Sequence, residues 1–267
     1  MLRRAGSMAS KTLGNATGNG IEEEWGSLKL RKLAQQLCSY KPPRAPWCNN
    51  DQDNESGEGG SNSELYVAGK RVKRSAVLVG LFEGSEGDLR VILTQRSGNL
   101  SLHSGDVSLP GGKMEEKDKD ESETALREAK EEIGLDPSHV KVVTTLEPHL
   151  SKYLLKIVPV VGLLPDRKSF RPVLNPGEVD AIFDAPLEMF LKDENYRSEE
   201  KQWMGFNYTD HYFDFQTENM KFLIWGITAR ILVRAASVIY QRQPSFSEVV
   251  PNFSGIQSSN SRCKPKL

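Results

Sequence analysis

The sequence predicts an α/β protein, a sandwich of helices against a sheet. Three observations carry that reading. Short apolar runs of strand length recur at residues 76–82, 89–94, 140–146 and 157–164, separated by turn-forming or charged stretches. Between the second and third of them, residues 120–134 switch to helical periodicity. A last segment from Phe222 to about Tyr240, rich in Leu, Ile, Val and Ala, reads as a further helix. Strands mixed with helices suit layers packed around one core. Pattern alone leaves the order of the strands open.

The elements follow along the chain. Residues 1–20 carry Arg3, Arg4 and Lys11, no acidic residue, and much Ser, Ala and Gly. That composition resembles a mitochondrial transit segment, and Met8 could serve as a second start. Leu30, Leu33, Ala34 and Leu37 repeat at helical spacing, so residues 21–41 should form an amphipathic helix. Residues 42–69 turn to proline, asparagine, glycine and acid, and are expected to be a disordered linker. The main domain is expected over 70–242. Its first two strands are joined by a Gly-rich turn at 83–88. Asp120 followed by Glu123 matches a capping box, and Gly134 marks the end of the helix it starts. In the later strands, Pro159 and Pro165 favour edges or irregular starts. Residues 178–183 and 211–215 are further strand candidates. The last helix is no membrane span, because Arg230 and Arg234 interrupt it and its apolar run is short. Residues 243–267 read as a flexible tail ending in Pro-Lys-Leu, a neighbour of the Ser-Lys-Leu peroxisomal address. A mitochondrial location is preferred, with peroxisomal and cytosolic ones as alternatives.

Composition limits the function without naming it. The 267 residues are 37% hydrophobic and 27% charged, enough for one core plus flexible ends. With 35 basic against 36 acidic residues the net charge is −1, which gives no basic field for nucleic acid. Cys38, Cys48 and Cys263 are odd in number and irregularly spaced, fitting neither a disulfide framework nor a zinc site. They point to a reducing compartment.

Residues 112–135, GKMEEKDKDESETALREAKEEIGL, hold the chemistry. Leu126, Ala129 and Ile133 form the expected buried face of the helix. Glu128, Glu131 and Glu132 point roughly 90–170° away from it, towards water or ligand. Three carboxylates so close repel one another. A hard cation relieves that repulsion, and Mg2+ is the usual one because it prefers oxygen ligands. A charge run is more often a solvated face. Here the run stands behind Pro110-Gly111-Gly112, a sharp turn that leaves room for a ligand to approach the main chain, and the metal reading is favoured. Arg96 has the planar fork suited to phosphate, and equally suits a strand-end pairing with a helix glutamate. His103 is a lone histidine, a type more often structural than ligating. His139, His149 and His211 sit in no ligand-like spacing and read as surface or packing residues.

Residues 127–135, Arg-Glu-Ala-Lys-Glu-Glu-Ile-Gly-Leu, resemble the second half of a Nudix box, Arg-Glu-apolar-x-Glu-Glu-x-Gly-apolar. Fourteen residues separate Gly112 from Arg127, one more than the general pattern, so the leading glutamate of the box falls at Asp118 or Lys119. Upstream, Ile92 to Ser97 and Leu100 to Gly112 resemble the extension that marks the coenzyme A diphosphatase branch of this family. Its pattern is Leu-Leu-Thr-x-Arg-Ser, then Leu-x-x-His-x-Gly-x-Val-x-Phe-Pro-Gly-Gly. Ile92 replaces the first Leu and Leu109 the Phe, and the branch tolerates the longer spacing. Residues 186–191 and 203–205 resemble plant members in particular.

The resemblance implies an α/β/α sandwich with a mixed sheet and a catalytic loop-helix-loop. It implies attack of water on a nucleoside-linked diphosphate, assisted by Mg2+ or alternatively Mn2+. The implied metal ligands are Glu128, Glu131 and Glu132. Glu131, Glu132 and Arg127 are the implied catalytic set, with Arg127 orienting the carboxylates. Implied substrate contacts are Arg96, Ser97, His103, Gly105, Gly111 and Gly112. Coenzyme A would yield 3′,5′-ADP and 4′-phosphopantetheine. The alternatives are another substrate, such as 8-oxo-dGTP, NADH or ADP-ribose, or a non-catalytic nucleotide-binding module. The last is disfavoured because all three box glutamates are present. Neither nucleic acid nor membrane is an expected partner, and the chain is expected as a monomer or homodimer.

Overall fold

The computed structural model describes residues 25–43, 66–67, 70–203 and 205–249. The transit-like segment 1–20, most of the linker 42–69, Cys48, Cys263 and the closing Pro-Lys-Leu lie outside the described residues.

Helix α1 (Leu28–Cys38) is capped by Ser27, whose side chain accepts the Leu30 N–H, and it buries Leu30, Leu33, Ala34 and Leu37 at the expected spacing. A two-stranded ribbon follows, β1 (Tyr66–Val67) against β2 (Lys70–Arg71). The main sheet uses β3 (Lys73–Glu83), β4 (Leu89–Arg96), β5 (Val107–Ser108) and β6 (Gly111–Lys113), followed by helix α2 (Glu121–Ile133). It continues with β7 (Lys141–Thr145), β8 (His149–Leu150), β9 (Leu155–Leu163) and β10 (Val179–Pro186). A second sheet holds β11 (Tyr196–Trp203), β12 (Phe206–Gln216) and β13 (Lys221–Trp225), and α3 (Gly226–Tyr240) comes last. The long strands of the main sheet lie in the order β10-β4-β3-β9-β7. Among the described strands β3 and β9 alone pair parallel, so the sheet is mixed.

The unbroken apolar runs of β3, β4 and β9 are explained by helices on both faces. Ala76, Leu78, Ile92 and Val160 pack against Ala125, Ala129 and Ile133 of α2. On the opposite face Val79, Leu81, Val91, Leu93 and Val161 pack against Leu30 and Leu37 of α1 and Leu232 and Ala236 of α3. The result is an α/β/α sandwich.

Three expectations need correction, and one strand was not foreseen. Residues 222–225 are strand rather than helix: burial alternates along β13, and Phe222 pairs with Phe215 in register. Phe222 also stacks on Phe183 at 3.8 Å between centroids, and Gly226, at φ 62°, turns the chain into α3. Pro159 lies in the middle of β9, not on a sheet edge. Its carbonyl accepts the Leu146 N–H, so its missing N–H faces the gap between β7 and β8 and no ladder bond is lost. Strand β11 was unforeseen because its largely exposed YRSEEKQW sequence has no apolar alternation. Full pairing with β12 holds it, with Lys201 2.9 Å from Asp210 and Arg197 2.8 Å from Asp214 across the strands. On α2, finally, Ala125 takes the fully buried place expected for Leu126.

Candidate active site

The site opens where β4 leaves β3. The two strands pair only over Leu81–Glu83, and beyond that β4 turns to β5 while β6 takes its place beside β3. The chain then runs from β6 through an acidic turn into α2. Asp120 caps the helix by accepting the Glu123 N–H, and Gly134 ends it at φ 69°.

Arg127 organises this corner. Its Nε and Nη2 grip both oxygens of Asp118 at 3.0 and 2.9 Å, a two-point fork. Its Nη1 donates to Glu131 at 2.9 Å and lies 3.2 Å from Glu128, and Nη2 also reaches the Lys113 carbonyl. Asp118 is almost wholly buried and further accepts from the Thr124 hydroxyl and the Glu115 N–H. The Arg127 guanidinium holds its pKa down to about 2. Of the two candidates for the leading carboxylate, Asp118 is the acidic one, and Arg127 grips both its oxygens.

The three box glutamates occupy different environments. Glu132 is only 4% exposed, against the expectation of a solvent-facing side chain, and accepts the Gly111 N–H at 3.2 Å. Burial pushes its pKa up to about 8; the Gly111 N–H opposes that, Glu128 adds to it, Arg96 opposes it, and Glu178 adds to it. Glu128 is largely buried too, and burial raises its pKa against the pull of Arg127. It fills the space beside Gly112, where any Cβ would collide with its carboxylate. Glu131 is half exposed and engaged by Arg127. Among the described residues no three His, Cys, Asp or Glu side chains are grouped closely enough to hold a metal ion. What converges on the Gly111-Gly112 backbone is a pair, Glu128 and Glu132. That pair fits a hard cation: Glu132 is desolvated and forms no ion pair among the described residues, Glu128 shares Arg127 with Asp118 and Glu131, and Mg2+ typically takes one or two carboxylates plus substrate phosphates and water.

Beside β6 lies a cleft of about 410 Å³, reaching from Arg96, Gly111 and Gly112 to α3. Four cations line it, Arg96, Lys113, Lys152 and Arg230, against two carboxylates, Asp106 and Asp210. Both acids are already engaged. Asp106 meets His103 Nδ1 at 2.9 Å and Trp225 Nε1 at 3.3 Å, and Asp210 accepts from Lys201 at 2.9 Å. The surplus of positive charge suits an anionic ligand.

The sequence matches the NUDIX domain family over residues 72–204. It is 54% identical over 237 residues to Nudix hydrolase 22, chloroplastic, of Arabidopsis thaliana, covering 85% of this chain and 78% of that one. The chain belongs to the Nudix family. Nudix hydrolase 15, mitochondrial, from the same plant is 66% identical over 181 residues, which are 68% of this chain and 64% of that one. The chain therefore spans somewhat less than two thirds of that relative. The peroxisomal coenzyme A diphosphatase NUDT7 of Mus musculus is 35% identical over 162 residues, 60% of this chain and 68% of that one.

Within this Nudix site the predicted substrate residues separate. Arg96, His103, Gly111 and Gly112 line the cleft. The buried Nε of Arg96 has no hydrogen-bond partner, and Arg96 lowers the Glu132 pKa without forming a pair with a helix glutamate. His103 sits at the cleft with its ring edge-on to Tyr153, 5.3 Å between centroids. Ser97 is fully buried, its N–H donating to the Glu178 carbonyl, and does not line the cleft. Gly105 does not line it either; at φ 74° it shapes the loop that presents His103 and Asp106. The Gly111-Gly112 segment is a strand, not an open turn. The room left by its missing side chains is taken by β3 and by Glu128 rather than by a ligand. His211 is buried against Tyr196 and Phe246, as a packing residue should be. Sequence reasoning assigned no site role to Trp203, Tyr208, Trp225 and Arg230, which line the cleft, or to Glu178, whose charge adds to the raised Glu132 pKa. Only Arg230 left a usable signal, one of two charges in a largely apolar helix.

Proposed function

We propose that this chain hydrolyses the diphosphate bond of coenzyme A to 3′,5′-ADP and 4′-phosphopantetheine. Glu128 and Glu132 hold Mg2+, or alternatively Mn2+, and Glu131 is an additional ligand or a helper in taking the proton from water. The bound ion would neutralise diphosphate oxygens and acidify a water. The chain's own part is positional. The Gly111 N–H orients Glu132, and the missing side chain of Gly112 admits the Glu128 carboxylate. Arg127, braced by Asp118, orients the carboxylates of Glu128 and Glu131. Arg96, with an unpartnered buried Nε, faces the cleft where a diphosphate would lie.

One observation carries the choice of substrate. Arg96 and His103, both from the coenzyme A branch motif, line one cation-rich cleft next to the glutamate pair. The name of the mouse relative, a coenzyme A diphosphatase, supports the same choice. An organellar setting, mitochondrial first, accords with the names of the plant relatives; the peroxisomal ending is the alternative.

The test is chromatography or phosphorus NMR of coenzyme A with protein and Mg2+, with 8-oxo-dGTP, NADH and ADP-ribose in parallel. Release of 3′,5′-ADP and 4′-phosphopantetheine, faster than any competitor is cleaved, is the expected result. Cleavage of another nucleotide with coenzyme A intact would replace the substrate and keep the mechanism. If nothing is cleaved, a binding module becomes the better reading.

A further inference from the structure

The far wall of the cleft has a feature that diphosphate hydrolysis does not require. Arg230, on α3, lines the cleft from a largely apolar helix whose other charged residue, Arg234, is paired with Glu147. Its side chain is 21% exposed, and its buried Nε has no hydrogen-bond partner. The nearest carboxylate is Asp210, at 3.9 Å from Nη2, and Lys201 already holds Asp210 at 2.9 Å. The guanidinium instead lies over the Tyr208 ring, 4.9 Å from its centroid. A buried, under-satisfied guanidinium is costly to keep unless something completes its fork. The ligand best matched to that planar fork is a phosphate or carboxylate.

The surroundings narrow the ligand. Trp203, Tyr208 and Trp225 line the same wall. Trp225 is held in place by Asp106 at its Nε1 and by Tyr212, whose ring lies parallel to it within 2°. Aromatic faces of this kind stack on nucleobases. A pantetheine arm has no anionic group to pair with a guanidinium and no planar base to stack on the aromatic wall.

We propose that Arg230 is a specificity residue for a nucleoside carrying a second phosphate on its ribose, with the base against the aromatic wall. The inference rests on the coenzyme A reading, because the 3′-phosphate of coenzyme A is what distinguishes that substrate from other nucleoside diphosphate derivatives.

The test separates the two ideas. The full chain is titrated calorimetrically with 3′,5′-ADP and with AMP, and kcat/KM is measured for coenzyme A and dephospho-coenzyme A. The wild type and the Arg230→Gln and Arg230→Lys variants are compared. The wild type should bind 3′,5′-ADP at least about tenfold more tightly than AMP, a difference of the size expected for one charge-assisted phosphate contact. Arg230→Gln should bring that ratio, and the kcat/KM ratio of the two coenzymes, to within about threefold, and Arg230→Lys should restore part of both. Equal wild-type affinity for the two nucleotides overturns the inference by itself, whether or not the variants fold. So does an undiminished ratio in Arg230→Gln. Arg230-dependent selectivity for 3′,5′-ADP without coenzyme A cleavage would uphold this subsite and sink the coenzyme A reading. Cleavage of coenzyme A with unchanged selectivity in Arg230→Gln would do the reverse.

Discussion

Glu132 is held at an energetic cost. In the metal-free protein its carboxyl keeps a proton to about pH 8, against a reference of 4.5, chiefly because burial disfavours the charge. A raised folded-state pKa contributes stability that is fully present below the unfolded value and lost as pH rises through the folded one. Between about pH 5 and pH 8 the metal-free wild type should therefore lose thermal stability relative to Glu132→Gln, and saturating Mg2+ should remove much of the difference. Parallel Tm curves for the two metal-free proteins would contradict the assigned burial. The same variant should fold yet lose turnover by roughly 100-fold or more, since altering even an outer partner of a metal site costs 10- to 100-fold. Asp118 is the opposite case, a buried carboxylate with its cation in place. Asp118→Asn breaks the fork to Arg127 and should cost about 3 kcal/mol in urea unfolding. A loss under 1 kcal/mol would mean that Arg127 does not depend on it.

Strand β6 and helix α2 act together, and the two glycines of β6 show how. A Cβ on Gly111 would strike the Ala76 carbonyl, which is backbone of β3 and cannot yield cheaply. Gly111→Ala should therefore cost about 2 kcal/mol, in the range for forced overpacking. A Cβ on Gly112 would meet only the end of the Glu128 side chain. Gly112→Ala should leave stability within about 1 kcal/mol while weakening Mg2+ binding about tenfold, as read by titration calorimetry. If both variants behave alike, the glutamate is not seated where it is described. Helix α2 itself was legible residue by residue, because its cap, its stop and its period are local. Its buried face was less so. Glu132 is buried against β6, whose Gly111 N–H it accepts, and no spacing rule within the helix reports that contact.

The N-terminal helix joins the core of the folded chain although the family match begins only at residue 72. Gln36 donates to the Val238 and Ile239 carbonyls near the end of α3. Tyr40 donates to Glu147, and Arg234 binds both. Leu37 is completely buried between these layers. Leu37→Ala should cost about 3 kcal/mol by the cavity it leaves, and removal of residues 1–41 should cost more. Unchanged urea midpoints would make α1 an accessory. Among the described residues no helix is long and apolar enough to cross a membrane.

The sequence by itself determined whatever depends on near neighbours along the chain: the acidic helix with its ends, the apolar runs that become strands, and the motif that contains Arg96, His103 and Glu128. Tertiary structure decided what depends on distant segments meeting. It paired the polar β11 with β12, turned residues 222–225 into a strand, and seated Pro159 at a gap between neighbours. It also spent Asp118 on Arg127 and brought Arg230 to the cleft wall 134 positions after Arg96. Local pattern records backbone preference and the direction of burial, whereas partner choice is a contact energy between residues far apart in the chain.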